Sequence, residues 1–222
     1  MTDIKAIIFD LDGVIVDTAK YHYIAWKKLA AELGFDFTEK DNERLKGVSR
    51  KRSLEIILET GKKKIAEEEK EILMAKKNKW YVEYISKLKE DEIFPGVINY
   101  FIKLKKKGIK LAIGSASKNA KKILVRLKIL EFFDAVSDGT IISKAKPDPE
   151  VFLKAAEMME VPPDNCLVFE DALAGVEAAK KAGMKCVGVG DPNILTKADK
   201  VIKGIYELKV SETDPVGYFQ CG

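Results

Sequence analysis

Ala6-Ile7-Ile8-Phe9-Asp10-Leu11-Asp12-Gly13-Val14 is the stretch that decides the fold of this chain. The apolar run 6–9 reads as a strand, and it leads straight into two carboxylates spaced i, i+2. Alternation along an extended chain turns both to one side, at the carboxyl end of the strand. Gly13 then allows a sharp turn and a close approach of the backbone to a ligand. In an open α/β sheet this end of a strand is where ligands bind. Two acids crowded in a low-dielectric crevice recruit a divalent cation or split their pKa values. An Asp-x-Asp-Gly turn serving only backbone geometry is the plain alternative. A calcium loop is a poorer one, because Val14, Ile15 and Val16 follow where further oxygen ligands are needed.

Outward from this stretch, apolar runs alternate with helical patterns, the signature of a parallel sheet covered by helices. The expected strands are Lys5–Phe9, Lys110–Gly114, Asp134–Ser137, Cys166–Phe169, Cys186–Val189 and a weaker one at Lys200–Ile202. Helices are expected at Val97–Lys106, Ala120–Leu127, Glu150–Met159 and Leu173–Ala182. From about Thr18 to Leu88 no strand pattern occurs. Amphipathic helices are expected there at Tyr21–Leu33, Glu39–Leu45, Arg50–Leu58 and Ala66–Leu88. The fold class is therefore α/β, a Rossmann-like parallel core with an all-helical cap domain inserted after the first strand. Residues 1–17 and 90–222 would form the core and 18–89 the cap, with hinges near Val14–Ala19 and Glu90–Gly96.

With 222 residues, 46% of them hydrophobic, the chain can bury one core and a smaller satellite. Charged residues make up 33%, but the net charge is only +4. The lysine clusters at Lys62–Lys64 and Lys105–Lys107 have acids such as Glu67–Glu69 nearby and read as solvated helix surface, so no nucleic-acid partner is expected. There is no apolar run of about 18 residues and no apolar leader, so no membrane association is expected either. Cys166, Cys186 and Cys221 are an odd number, and the first two lie in strand-like runs, which predicts buried free thiols and a reducing, cytoplasmic location.

Three further motifs fall at later strand ends. Gly114-Ser115-Ala116-Ser117 offers a hydroxyl and backbone N–H groups suited to phosphate, while Ser117 can also cap the following helix. In Lys146-Pro147-Asp148-Pro149 a lysine precedes a rigid turn and can point inward as a counter-charge, although alone it would read as a surface residue. Phe169-Glu170-Asp171 supplies two more acids, which alone would simply complement a helix dipole. Together, four strand ends place two aspartates, a serine, a lysine and an acidic pair on one rim.

These motifs resemble those of the haloacid dehalogenase-like hydrolase superfamily, over nearly the whole chain up to about Gly190. Asp10–Gly13 is similar to its first motif, Ser115 to its second, Lys146 to its third, and Glu170 with Asp171 to its fourth. Tyr21-His22-Tyr23 with Trp26, Leu45–Arg50 followed by Ser53-Leu54, Lys77-Asn78 and Ser115–Asn119 are similar to its sugar-phosphate mutases. Ala198–Gly222 departs from the pattern.

The resemblance implies that Asp10 is the nucleophile, forming an aspartyl-phosphate, and that Asp12 is the general acid and base. It implies Mg²⁺ on the Asp10 carboxylate, the Asp12 carbonyl and Asp171, with Glu170 in or beside the set. Ser115, the Ala116 N–H and Lys146 would hold the transferring phosphoryl oxygens. His22 would gate closure by hydrogen-bonding Asp12. Arg50 with Gly47, Val48 and Ser49 would grip the second phosphate of the substrate. Ser53, Lys77, Ser117, Lys118 and Asn119 would add contacts to that phosphate or to sugar hydroxyls. Trp26 either lines the sugar cavity or belongs to the cap core. The implied activity is the interconversion of a glucose 1-phosphate and glucose 6-phosphate through a bound bisphosphate, by a monomer acting on a small phosphosugar. The rivals are a magnesium-dependent phosphatase on the same residues and a non-catalytic sugar-phosphate sensor.

Overall fold

The computed structural model describes residues 3–45 and 48–218. Its sheet has six parallel strands: β1 (Ala6–Phe9), β2 (Lys110–Gly114), β3 (Ala135–Ser137), β4 (Cys166–Glu170), β5 (Lys185–Val189) and β6 (Lys200–Ile202). They lie in the order β3-β2-β1-β4-β5-β6. All six expected strands form, with ends displaced by one residue at most. The four helices expected after residue 90 form too, as α5 (Val97–Lys106), α6 (Ala120–Arg126), α7 (Glu150–Met158) and α8 (Leu173–Lys181).

Every residue of β1 and β4 is buried, as a parallel strand covered on both faces requires. Period-two alternation sorts their side chains into two cores. Ile7, Phe9, Ile113, Leu167 and Phe169 pack with Phe101 and Leu104 of α5 and with Ile123 and Leu124 of α6. The smaller Ala6, Ala112, Cys166 and Cys186 face α7 and α8, against Phe152, Ala155 and Ala179. Phe9 and Phe169 stack across β1 and β4 at 5.2 Å, which ties together the two strands that carry the acids. Cys166 and Cys186 are free and buried, as expected.

Between β1 and α5 the described chain contains helices and turns but no strand: α1 (Ala19–Glu32), α2 (Glu39–Asn42), α3 (Arg50–Thr60) and α4 (Glu67–Ile85). The helix expected over 39–45 divides into α2, held by a Thr38–Asp41 capping box, and a 3-10 turn at Glu43–Leu45. α4 begins with Glu67, Glu68 and Glu69 against its positive end. Trp26, Leu29, Phe37, Leu54, Ile57, Leu58, Leu73 and Met74 give these helices an apolar core of their own. Two crossings join them to the sheet, and they are paired: Val16 bridges Ile93, and the Phe94 N–H donates to the Ile15 carbonyl at 2.9 Å. Glu92 accepts from Lys20 at 2.9 Å and from the Tyr21 hydroxyl at 2.7 Å.

The stretch after β6 returns beneath α5. The buried Tyr100 hydroxyl donates to the Val216 carbonyl at 2.6 Å, and Ile205, Leu208 and Val216 join the larger core. Among the described residues no helix is long and apolar enough to cross a membrane.

Candidate active site

From β1 the chain runs to β2 and β3 on one side, and β4 opens the other side. The β1–β4 boundary is thus the switch point, where an open parallel sheet leaves a crevice at its carboxyl edge. Phe9 pairs with Phe169 in register, and the Asp10 N–H donates to the Phe169 carbonyl at 2.8 Å. This register sets Asp10 beside Glu170.

β1 stops at Phe9, as the sequence predicts, so Asp10 and Asp12 stand on the turn that follows. Gly13 N–H donates to the Val16 carbonyl at 2.9 Å and Ile15 N–H to the Leu11 carbonyl at 3.0 Å. Both aspartates still line one cavity, through turn geometry and not strand pleat. Gly13 has φ of +80°, and a Cβ there would fall 2.0 Å from Asp171 Oδ2. A Cβ on Gly175 would fall 1.8 Å from Glu170 Oε1. Each acid of the fourth motif therefore occupies space that a glycine leaves open.

Lys146 is a buried counter-charge and not a surface residue. Its Nζ donates to Asp10 Oδ1 at 2.6 Å and to Glu170 Oε2 at 3.2 Å. Burial opposes its charge, but the Asp10 and Glu170 carboxylates outweigh that and hold the ammonium above its ordinary pKa. The loop that carries it is clamped from α7. Glu150 accepts the Ser143 N–H, the Ser143 hydroxyl at 2.8 Å and the Lys144 N–H at 2.7 Å.

Asp10, Glu170 and Asp171 each offer a carboxylate oxygen, all within 4.8 Å of one another. Glu170 is 0% exposed, and its Oε1 has no hydrogen-bond partner. Burial and the neighbouring Asp10 hold its carboxyl well above the usual range. An orphaned buried oxygen in an oxygen-only set fits a small hard cation, which would satisfy that atom and return the group to its anion. The Asp12 side chain is outside this set. Its Oδ1 is also buried and unpartnered, and burial followed by Asp10 and Asp171 raises its carboxyl well above the usual range.

The cavity measures about 540 Å³ and runs from these acids to the helices of 18–89. Ser115, Ala116, Ser117 and Lys118 line the sheet side, and Trp26, Val48, Ser49, Arg50, Ser53 and Lys77 the helical side. Ser115 Oγ accepts the Ser117 N–H at 3.2 Å and Ser117 Oγ the Asn119 N–H at 3.2 Å, so Ser117 secures the turn that precedes α6, whose N-cap is Asn119 without a side-chain cap. Trp26 meets both expectations, lining the cavity while 2% exposed in the helical core. Lys77 is 1% exposed, caged over the Trp26 ring at 4.4 Å and the Tyr81 ring at 4.8 Å. Burial and Arg50 hold its pKa well below the ordinary lysine value. Arg50 is half-buried and forms no ion pair with any described residue.

Some expectations are met differently. His22 makes no hydrogen bond to Asp12; its Nδ1 lies 2.6 Å from Lys77 Nζ. Burial, Lys77 and Arg50 hold the imidazole well below its usual pKa, which favours the neutral ring. Asn119 is buried and does not line the cavity, because its Nδ2 donates to Asn78 Oδ1 on α4 at 2.8 Å. Lys146 and Glu170 sit behind the cavity floor, with Ala145 and Asp171 at its surface. Gly47 lies outside the described residues. Asn42, Glu71 and Met74 line the cavity without having been expected to. In sequence they look like ordinary helix residues, and only the packing of α2 and α4 brings them to the wall.

The profile of a family described as haloacid dehalogenase-like hydrolase matches residues 7–189. The chain is 47% identical over 206 residues to a β-phosphoglucomutase of Bacillus subtilis, covering 92% of this chain and 91% of that protein. It is 34% identical over 192 residues to a phosphorylated carbohydrates phosphatase of Thermotoga maritima, covering 82% of each. The crystal structure of a β-phosphoglucomutase from Clostridium difficile superposes with a TM-score of 0.90 at 46% identity, covering 93% of both chains.

Proposed function

This chain belongs to the haloacid dehalogenase-like hydrolase family, and we propose that within it the protein is a phosphomutase interconverting β-D-glucose 1-phosphate and glucose 6-phosphate. Residues 1–17 and 90–222 are the catalytic core and 18–89 the cap. One observation carries the reading beyond phosphate hydrolysis. A single cavity joins the Asp10–Lys146 centre to a half-buried Arg50 that forms no salt bridge with any described residue. Two anion-binding ends suit a substrate that presents a phosphate at either end in turn.

Asp10 attacks phosphorus as a carboxylate, which needs no base at neutral pH. Lys146, held against it, and the Ser115 hydroxyl with the Ala116 N–H receive the transferring oxygens. Asp12, its carboxyl pushed above the usual range by burial and the neighbouring Asp10, gives its proton to the departing sugar oxygen and takes one from the hydroxyl that attacks next. Mg²⁺ held by Asp10, Asp171 and the Asp12 carbonyl, with Glu170 beside them, would screen the meeting of two anions. The bisphosphate forms when a hydroxyl of the sugar monophosphate takes the phosphoryl group from Asp10, and it turns over inside the cavity, with Arg50, Val48 and Ser49 holding the non-reacting phosphate. Closure of the cap keeps water away from the aspartyl-phosphate. In this reading the protein is a cytoplasmic monomer acting on a free phosphosugar.

The test supplies β-glucose 1-phosphate, Mg²⁺ and a trace of glucose 1,6-bisphosphate, and follows glucose 6-phosphate and free phosphate in parallel. Rapid glucose 6-phosphate with little phosphate is the expected result. Phosphate release without isomerisation would move the protein to the phosphatases, which the Thermotoga relative exemplifies by name.

A further inference from the structure

Tyr81 lies on α4 one turn beyond Lys77 and is 0% exposed. Its ring packs on the His22 imidazole at 3.9 Å between centroids, with 28° between planes. The same ring lies under the Lys77 ammonium at 4.8 Å. Its hydroxyl donates to Thr18 Oγ1 at 3.2 Å, and Thr18 is itself fully buried on the first crossing between sheet and cap. The side chain of Ser117, on the phosphate-binding turn, is also within reach of that hydroxyl. One turn earlier on the same helix, Asn78 accepts from Asn119 of the core at 2.8 Å.

A buried tyrosine needs some partner for its hydroxyl, and most such pairs serve packing alone. Here the partners are not core residues of one domain. The ring supports the His22–Lys77 pair at the cavity wall, and the hydroxyl ties α4 to Thr18, the N-cap of α1 where the chain leaves the first crossing. Loss of the hydroxyl leaves the cap apolar core intact but leaves this link unmade.

We propose that Tyr81 is a positioning residue for phosphoryl transfer: its hydroxyl latches the cap to the first crossing, and its ring holds the His22–Lys77 pair in place, so that the closed cavity delivers the phosphoryl group to sugar and not to water. This rests on the mutase reading above.

Tyr81→Phe removes the latch and keeps the ring; Tyr81→Leu removes both. The quantity to measure is free phosphate released per glucose 6-phosphate formed, together with kcat, KM and Tm. For Tyr81→Phe the ratio should rise roughly two- to tenfold, the worth of one hydrogen bond, with KM little changed. Tyr81→Leu should raise it further, and adding His22→Gln to it should cost less than His22→Gln costs alone. A lowered Tm with an unchanged ratio in Tyr81→Phe would mean a merely structural tyrosine and overturn this inference alone. Phosphate release without isomerisation by the unmodified protein would overturn the mutase reading and this inference with it.

Discussion

Lys146 Nζ and Asp10 Oδ1 stand 2.6 Å apart, with the lysine side chain fully buried and that of the aspartate 9% exposed. A charge pair this deep contributes little net stability when intact, but removing one partner strands the other. Lys146→Met would leave both Asp10 and Glu170 buried without their cation. In metal-free buffer the variant should lose about 3–5 kcal/mol in urea unfolding. Mg²⁺ should restore part of that loss while phosphoryl transfer stays defective. Unchanged stability without metal would contradict the pairing.

Asp10→Asn should lower both glucose 6-phosphate formation and phosphate release by roughly 10⁴-fold or more, because an amide cannot form the acyl phosphate. Asp12→Asn should slow transfer by about 10²–10⁴-fold, the usual range for a lost general acid–base. Trapping with labelled sugar phosphate should detect phosphorylated Asp10 in no Asp10→Asn sample. Residual turnover near wild type in Asp10→Asn would remove Asp10 from the chemistry.

Gly175→Ala and Gly13→Ala each push a methyl group into an acid of the proposed cation set, at 1.8 Å from Glu170 and 2.0 Å from Asp171. Glu170 has no solvent-filled space to retreat into, so it must leave its place. Mg²⁺ affinity by calorimetry should fall about 10–100-fold in both variants. Gly13→Ala should also lose on the order of 1 kcal/mol from its left-handed backbone.

Glu150 carries a pH dependence of the Lys146 loop. The N–H groups of Ser143 and Lys144 and the Ser143 hydroxyl lower its carboxyl to about 2. A carboxylate depressed in the folded state stabilises fully above its ordinary value and loses that contribution as pH falls through the folded one. The window therefore runs from about 4.5 down to about 2. Tm measured across that range should fall more steeply in the wild type than in Glu150→Gln. Parallel curves would show that the clamp adds nothing to stability.

Arg50→Ala should cost about 10²-fold in kcat/KM on either sugar phosphate, with lysine a poor replacement because one point charge lacks the guanidinium fork. Phosphorylation of Asp10 by a small acyl phosphate, which has no second phosphate, should be nearly unaffected. Equal losses with both phosphoryl donors would place Arg50 in the fold and not at the second phosphate.

Much of this protein is readable from local chemistry. Ala6–Phe9 reads as a strand because four apolar residues in a row need cover on both faces, and the acids at its end announce themselves by type and spacing. The motifs at Ser115 and Glu170-Asp171 are legible for the same reason: each follows an apolar run and precedes a helix start. Where local signals are weak, reading stops. The helix expected over 39–45 breaks in two, and the tail from Ser211, polar with scattered aromatics, shows no period although Val216 ends up buried beneath Tyr100.

The amino-acid sequence by itself determined which chemistry is present and in what order, since strand, turn and acid are properties of neighbouring residues. Only the tertiary structure decided what touches what. The β1–β4 register placed Glu170 beside Asp10, the clamped loop turned Lys146 from a surface charge into their buried counter-ion, and α4 drew Lys77 onto His22 and took Asn119 from the cavity wall. These contacts join residues 24 to 136 positions apart, and no local pattern encodes a distance that only the closing of the sheet and the docking of the helices creates.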